Sequence, residues 1–189
     1  MVKTSKLSAP PAAVRTRRAY FDCQFGQLHV RTAFPTTGGF DEQVTLFCLH
    51  PSDASSRLFA RFLPELADVR SVYAPDLPGC GESDPSPTRS IADDAAAISD
   101  MAGNLRLRQI DVLGARYGAE VAVALAAARP QLVRRLVLVG LPPGERMQAC
   151  AHRHLVIDSA EYGVNPFGSD PQRLARQIKP FLATAPSTA

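Results

Sequence analysis

No apolar run in this sequence is long enough to span a bilayer, which takes about 20 residues. The N-terminus carries charges but no apolar h-region, so no secretory signal is expected. The four cysteines (Cys23, Cys48, Cys80 and Cys150) are far apart and show no C-x-x-C spacing. That usage favours a reduced, cytoplasmic protein. An excess of charge of one sign is also lacking, since the net charge is only +3. Much of the basic character sits in Lys3, Lys6, Arg15, Arg17 and Arg18. No aromatic interleaving or groove-reading motif accompanies it, so neither nucleic acid nor a membrane surface is expected as a partner. The run Pro78-Gly79-Cys80-Gly81 lacks both the G-x-G-x-x-G spacing and a Walker lysine, which argues against a nucleotide cofactor. There is no internal repeat and no second domain boundary.

What is present suits a single folded unit. The chain has 189 residues, 46% apolar and 21% charged, enough for one domain with a real core. Residues 1–17 read as a disordered basic arm and 18–189 as one domain. Arg18 to Phe25 and Gln27 to Ala33 form a hairpin pattern around Gly26. The continuous apolar run Thr45 to Leu49 suits a strand covered on both faces. Helical stripes follow at Ser56–Ala67, at Ser90–Leu105 with Ser90 or Thr88 as cap, and at Tyr117–Ala128. Strands are expected between them, at Ser71–Ala74, Gln109–Leu113 and Arg135–Val139, with a further one at His154–Asp158. Strands alternating with helices imply a mostly parallel sheet flanked by helices.

The chemically telling segment is Gly114-Ala115-Arg116-Tyr117-Gly118, set between a strand and a helix. This is the setting of the nucleophile elbow G-x-S-x-G, with arginine where the serine would be. His50-Pro51 stands at a strand end. Asp76-Leu77-Pro78-Gly79-Cys80-Gly81-Glu82-Ser83-Asp84 forms a dense turn loop. Arg129-Pro130 leads into Val139-Gly140.

In this order and spacing the segments resemble the α/β-hydrolase fold family from residue 18 onward. The resemblance implies a three-layer α/β sandwich with an N-terminal antiparallel hairpin. It also implies a site built from a nucleophile, a base, an acid and an oxyanion hole. Arg116 occupies the nucleophile position between Gly114 and Gly118. Val164, after Gly163, occupies the histidine position. Only 14 residues, Gly140 to Arg153, separate two strands, too few for a lid, a further strand and a second helix. The lid and the penultimate strand, which would carry the acid, are therefore expected to be missing. Pro143–His152 is expected to form one connecting helix. Leu155-Val156-Ile157 is expected to pair in parallel with Leu136-Val137-Leu138.

The oxyanion hole is the part expected to survive. His50, Ser52, Arg116 and Tyr117 form the candidate anion site, with backbone donors from Ser52 and Tyr117. The expected function is that of a family member without serine-hydrolase activity, binding a small anionic or ester-like ligand or associating as a homo-oligomer. The alternative is an active hydrolase of small ester-like substrates using a non-serine mechanism, with His50, Arg116 and a water. Loop ordering is the favoured role for His50. Cys80 reads as a plain loop thiol, and Ser83-Asp84 as residues that fix the loop. His29 reads as a surface residue. His152 and His154 lack further ligands, so no metal is expected.

Overall fold

A computed structural model describes residues 14–36, 43–141, 153–162 and 165–183. The strands are β1 (Arg15–Cys23), β2 (Gly26–Phe34), β3 (Leu46–Leu49), β4 (Val72–Pro75), β5 (Ile110–Ala115), β6 (Val133–Val139) and β7 (Arg153–Ile157). They form one sheet in the order β1-β2-β4-β3-β5-β6-β7. The pairs β1–β2 and β2–β4 are antiparallel, and β4, β3, β5, β6 and β7 run parallel.

Alternation along the central strands divides the core in two. Phe47, Leu49, Val112, Leu136 and Leu138 face α2 (Ile91–Asn104) and α3 (Tyr117–Ala128). Leu46, Cys48, Leu113, Val137 and Val139 face the other layer. That layer holds α1 (Leu63–Leu66), α4 (Pro166–Ser169) and the C-terminal helix α5 (Pro171–Ala183). This is the expected three-layer sandwich.

Local sequence accounts for most boundaries. Ser90 caps α2, its Oγ accepting from Asp93 N at 3.1 Å. The stripe expected at Ser56–Ala67 is broken into a 3-10 turn, Ser56–Phe59, and the short α1. Pro64 has no N–H and fits only the first turn of a helix, so α1 restarts there. The chain becomes a strand at Arg15, so Arg15 to Arg17 belong to β1 and not to an arm.

His29 is 1% exposed, contrary to the surface position expected of it. Its Nδ1 lies 2.9 Å from Asp76 Oδ2. The loop after β4 folds back over this face of β2, with Asp76 N donating to His29 O at 2.8 Å. Period-two alternation identified the face but not what covers it.

β7 pairs in parallel with β6, as expected, with Leu155 opposite Val137 and Ile157 opposite Val139. The register lies one residue further along β6 than expected. Among the described residues no strand separates β6 from β7. The connecting helix expected at Pro143–His152 and the position Val164 lie outside the described residues.

Candidate functional site

The elbow geometry is retained around Arg116. Its φ is 51° and its ψ −112°, a conformation a side-chain-bearing residue adopts only under constraint. Three bonds supply that constraint: Arg116 N donates to Val139 O at 2.9 Å, and Arg116 O accepts from Ala119 N at 2.9 Å and Glu120 N at 3.4 Å. The flanking glycines are dictated by close approach. A Cβ on Gly114 would sit 2.6 Å from Ala119 N, and one on Gly118 would sit 2.8 Å from His50 O. The two glycines therefore let α3 lie directly against β5 and the end of β3.

Above the elbow lies a pocket of about 580 Å³, within the range usual for small-ligand sites. Its walls include Pro51, Asp53, Arg116, Val139, Ser159 and Phe167. Arg116 is exposed at the start of α3, whose first N–H groups have no partners within the helix. A fixed positive charge thus stands beside a helix N-terminus, both of which favour an anion.

The four candidate anion-site residues are not brought together. His50 is fully buried and does not line the pocket. Its Nδ1 lies 2.7 Å from Pro51 O, and its Nε2 accepts from Leu77 N at 2.9 Å. Both ring nitrogens are committed to tying β3 to the loop after β4, the loop-ordering role. Burial also pushes its pKa below the ordinary histidine value. Asp53 and Ala54, from the loop that follows His50, line the pocket instead. Ser52 is exposed and also absent from the wall. Tyr117 turns its side chain toward α2, its hydroxyl donating to Asp94 Oδ2 at 2.8 Å. Only its backbone amide remains at the helix start.

Two wall residues, Asp53 and Ser159, were missed in the sequence. Ser159 follows β7 and reaches the pocket because Gly140, at φ 65°, turns the chain after β6 beside it. No sequence signal marks that proximity. Among the described wall residues there is no histidine, cysteine or lysine. Among the described residues no group of His, Cys, Asp and Glu could hold a metal. His154 is exposed on β7, and His152 lies outside the described residues.

The loop after β4 is held by a set of hydrogen bonds. Asp76, 2% exposed, accepts from Ser56 N at 2.6 Å and Glu82 N at 3.0 Å in addition to His29. Burial alone would raise its pKa, but these hydrogen bonds outweigh burial and hold the carboxyl below its usual value. Ser83 Oγ donates to Asp76 O at 2.7 Å, and Asp84 Oδ2 accepts from Gln27 N at 2.8 Å. The residues expected to fix the loop do so. Cys80 is half-buried, and burial raises its thiol pKa, consistent with an unreactive loop thiol.

The family model described as alpha/beta hydrolase fold matches residues 44–186. The chain belongs to the alpha/beta hydrolase fold family. It is 37% identical over 103 residues to the 2-hydroxymuconate semialdehyde hydrolase of Pseudomonas sp. (strain CF600), covering 50% of this chain and 35% of that protein. It is 35% identical over 121 residues to 2-hydroxy-6-oxononadienedioate/2-hydroxy-6-oxononatrienedioate hydrolase 2 of Pseudomonas putida, covering 61% of this chain and 42% of that protein. Among solved structures, the E219G mutant of N-acyl homoserine lactonase AidH superposes with a TM-score of 0.60 at 27% identity. That match covers 71% of this chain and 48% of the lactonase. The chain spans less than half the length of each of these relatives.

Proposed function

We propose that this alpha/beta hydrolase family member binds a small anionic, ester-like ligand at its elbow pocket without serine-type hydrolysis. The observation that carries this reading is Arg116 in the strained elbow position. A guanidinium stays protonated and cannot attack a carbonyl, but its planar fork suits a carboxylate. The absence of histidine from the described pocket wall supports the same reading, because a serine at residue 116 would have no base there to take its proton. The absence of a nucleophile does not remove the anion affinity of the α3 N-terminus. The hydrolases of 2-hydroxymuconate semialdehyde and of oxo-dienedioates among the relatives support a carboxylate-bearing ligand.

A second reading keeps catalysis. Asp53 lines the pocket, and a carboxylate on a pocket wall can orient a water toward a carbonyl held by Arg116. Turnover of short-chain p-nitrophenyl esters separates the two. The first reading expects no turnover above background, in this chain or in Arg116→Ser. Turnover that is lost in both Asp53→Asn and Arg116→Ala would establish the second. Isothermal titration with a short-chain carboxylate then tests binding, which Arg116→Ala should weaken about tenfold, the loss of one charge-assisted hydrogen bond.

We also propose self-association through the outer side of β7, which has no further strand beside it among the described residues. The support is Val156, 41% exposed on that edge strand. Sedimentation should show a concentration-dependent dimer that Val156→Lys disperses.

A further inference from the structure

The hairpin at the far edge of the sheet holds an unexplained concentration of positive charge. Arg18 and Arg31 are directly opposed in the β1–β2 ladder. Opposed residues of an antiparallel pair project from the same face with Cβ atoms about 4.5–5.5 Å apart, where like charges repel. Among the described residues neither arginine forms an ion pair. Arg31 Nε is buried and has no hydrogen-bond partner, a costly arrangement for a charged group.

These side chains wall a groove of about 380 Å³ between the hairpin and the segment leading into α1. Arg17, Thr16, Ala60 and Leu63 complete most of its lining. Carboxylates on the flanking elements are engaged elsewhere. Glu65 accepts from Gln172, Asp68 pairs with Lys179 at 2.7 Å, and Glu82 accepts from Tyr20 and pairs with Arg57. Asp76 is taken by His29, Ser56 and Glu82.

We propose that this groove is a binding site for a small phosphate-bearing ligand. An opposed arginine pair matches the double charge and several acceptor oxygens of a phosphate monoester. The phosphate would neutralise the repulsion across the ladder. Thr16 offers a hydroxyl donor, while Ala60 and Leu63 seat the organic group. The groove and the elbow pocket share no lining residue, so this site does not rest on the function proposed for the elbow.

The test is thermal unfolding and isothermal titration with inorganic phosphate and phenyl phosphate, at ionic strength held constant with chloride. Saturable binding and a concentration-dependent rise in Tm are expected, since a ligand that binds only the folded state stabilises it. Arg31→Gln and Arg18→Gln should each weaken binding about tenfold or more. Without phosphate, Arg18→Gln should be at least as stable as the parent, because it removes the repulsion; this exposed-strand variant keeps the test open should Arg31→Gln fail to fold. Arg116→Ala should retain the groove's affinity. Equal phosphate stabilisation of the parent and Arg18→Gln would overturn the proposal. So would a response lost only in Arg116→Ala, no saturable response at constant ionic strength, or binding confined to phosphatidylglycerol vesicles.

Discussion

Arg116 stores backbone strain at the turn between β5 and α3. A residue with a side chain at φ 51° and ψ −112° costs about 1–3 kcal/mol relative to an unstrained one. Glycine lacks the Cβ that makes this region costly. Arg116→Gly should therefore stabilise the fold by about 1 kcal/mol in urea unfolding, an effect read against the anion affinity it loses. The neighbouring glycines should show the opposite. Gly118→Ala places a methyl against the carbonyls of Leu49 and His50, and a loss of about 3 kcal/mol is expected. His50 adds a pH dependence. Its folded-state pKa lies below the ordinary 6.5, so as pH falls the unfolded chain takes up the proton first. The stability contributed by neutral His50 is therefore full above about pH 6.5 and declines below it. Denaturation midpoints at pH 7.5 and pH 5.5 should differ less in His50→Gln than in the parent.

At the scale of elements, the decisive contacts join segments distant in sequence. The loop after β4 is held by Asp76, which collects donors from β2, the 3-10 turn and its own loop. Asp76→Asn should cost about 2–4 kcal/mol, because a buried acceptor of several charge-assisted bonds is replaced by a group that cannot accept them all. The C-terminal helix is anchored similarly. Arg135 Nη1 donates to Phe181 O at 2.8 Å and Leu182 O at 2.9 Å, and Arg134 Nη2 donates to Leu182 O at 2.9 Å. Arginines thus satisfy the last carbonyls of α5, which no helical N–H reaches. Arg134 also pairs with Asp111 at 2.6 Å, and Asp111 pairs with Arg70 at 3.1 Å, linking α5 through β5 to the start of β4. Arg135→Ala should loosen α5 selectively, seen as faster amide exchange in residues 171–183 than in β5.

For the whole molecule, the alternation of periods was enough to assign a mostly parallel sheet flanked by helices, and Gly114 and Gly118 marked the turn between β5 and α3. These features are local, or repeat at a fixed spacing, so they survive without knowledge of the fold. The surroundings of single polar residues were less legible. His29 sits in a pattern that reads as exposed, and only the return of Asp76 over that face buries it. His50 stands at a strand end, where a side chain can turn up into the site or down into the loop. Its two committed nitrogens decided that. Asp53 comes from the loop after β3, and Ser159 from the 3-10 turn after β7, which packs against the tight turn at Gly140.

The sequence by itself determined the order of strands and helices, and the strand–turn–helix segment with an arginine at residue 116. Those depend on side-chain periodicity and on which atoms residue 116 carries. Tertiary structure alone decided which polar groups share a pocket, which are sealed in the core, and that Arg18 and Arg31 confront one another across a hairpin. Those outcomes depend on strand register and loop return, where a shift of one residue exchanges one face of the sheet for the other.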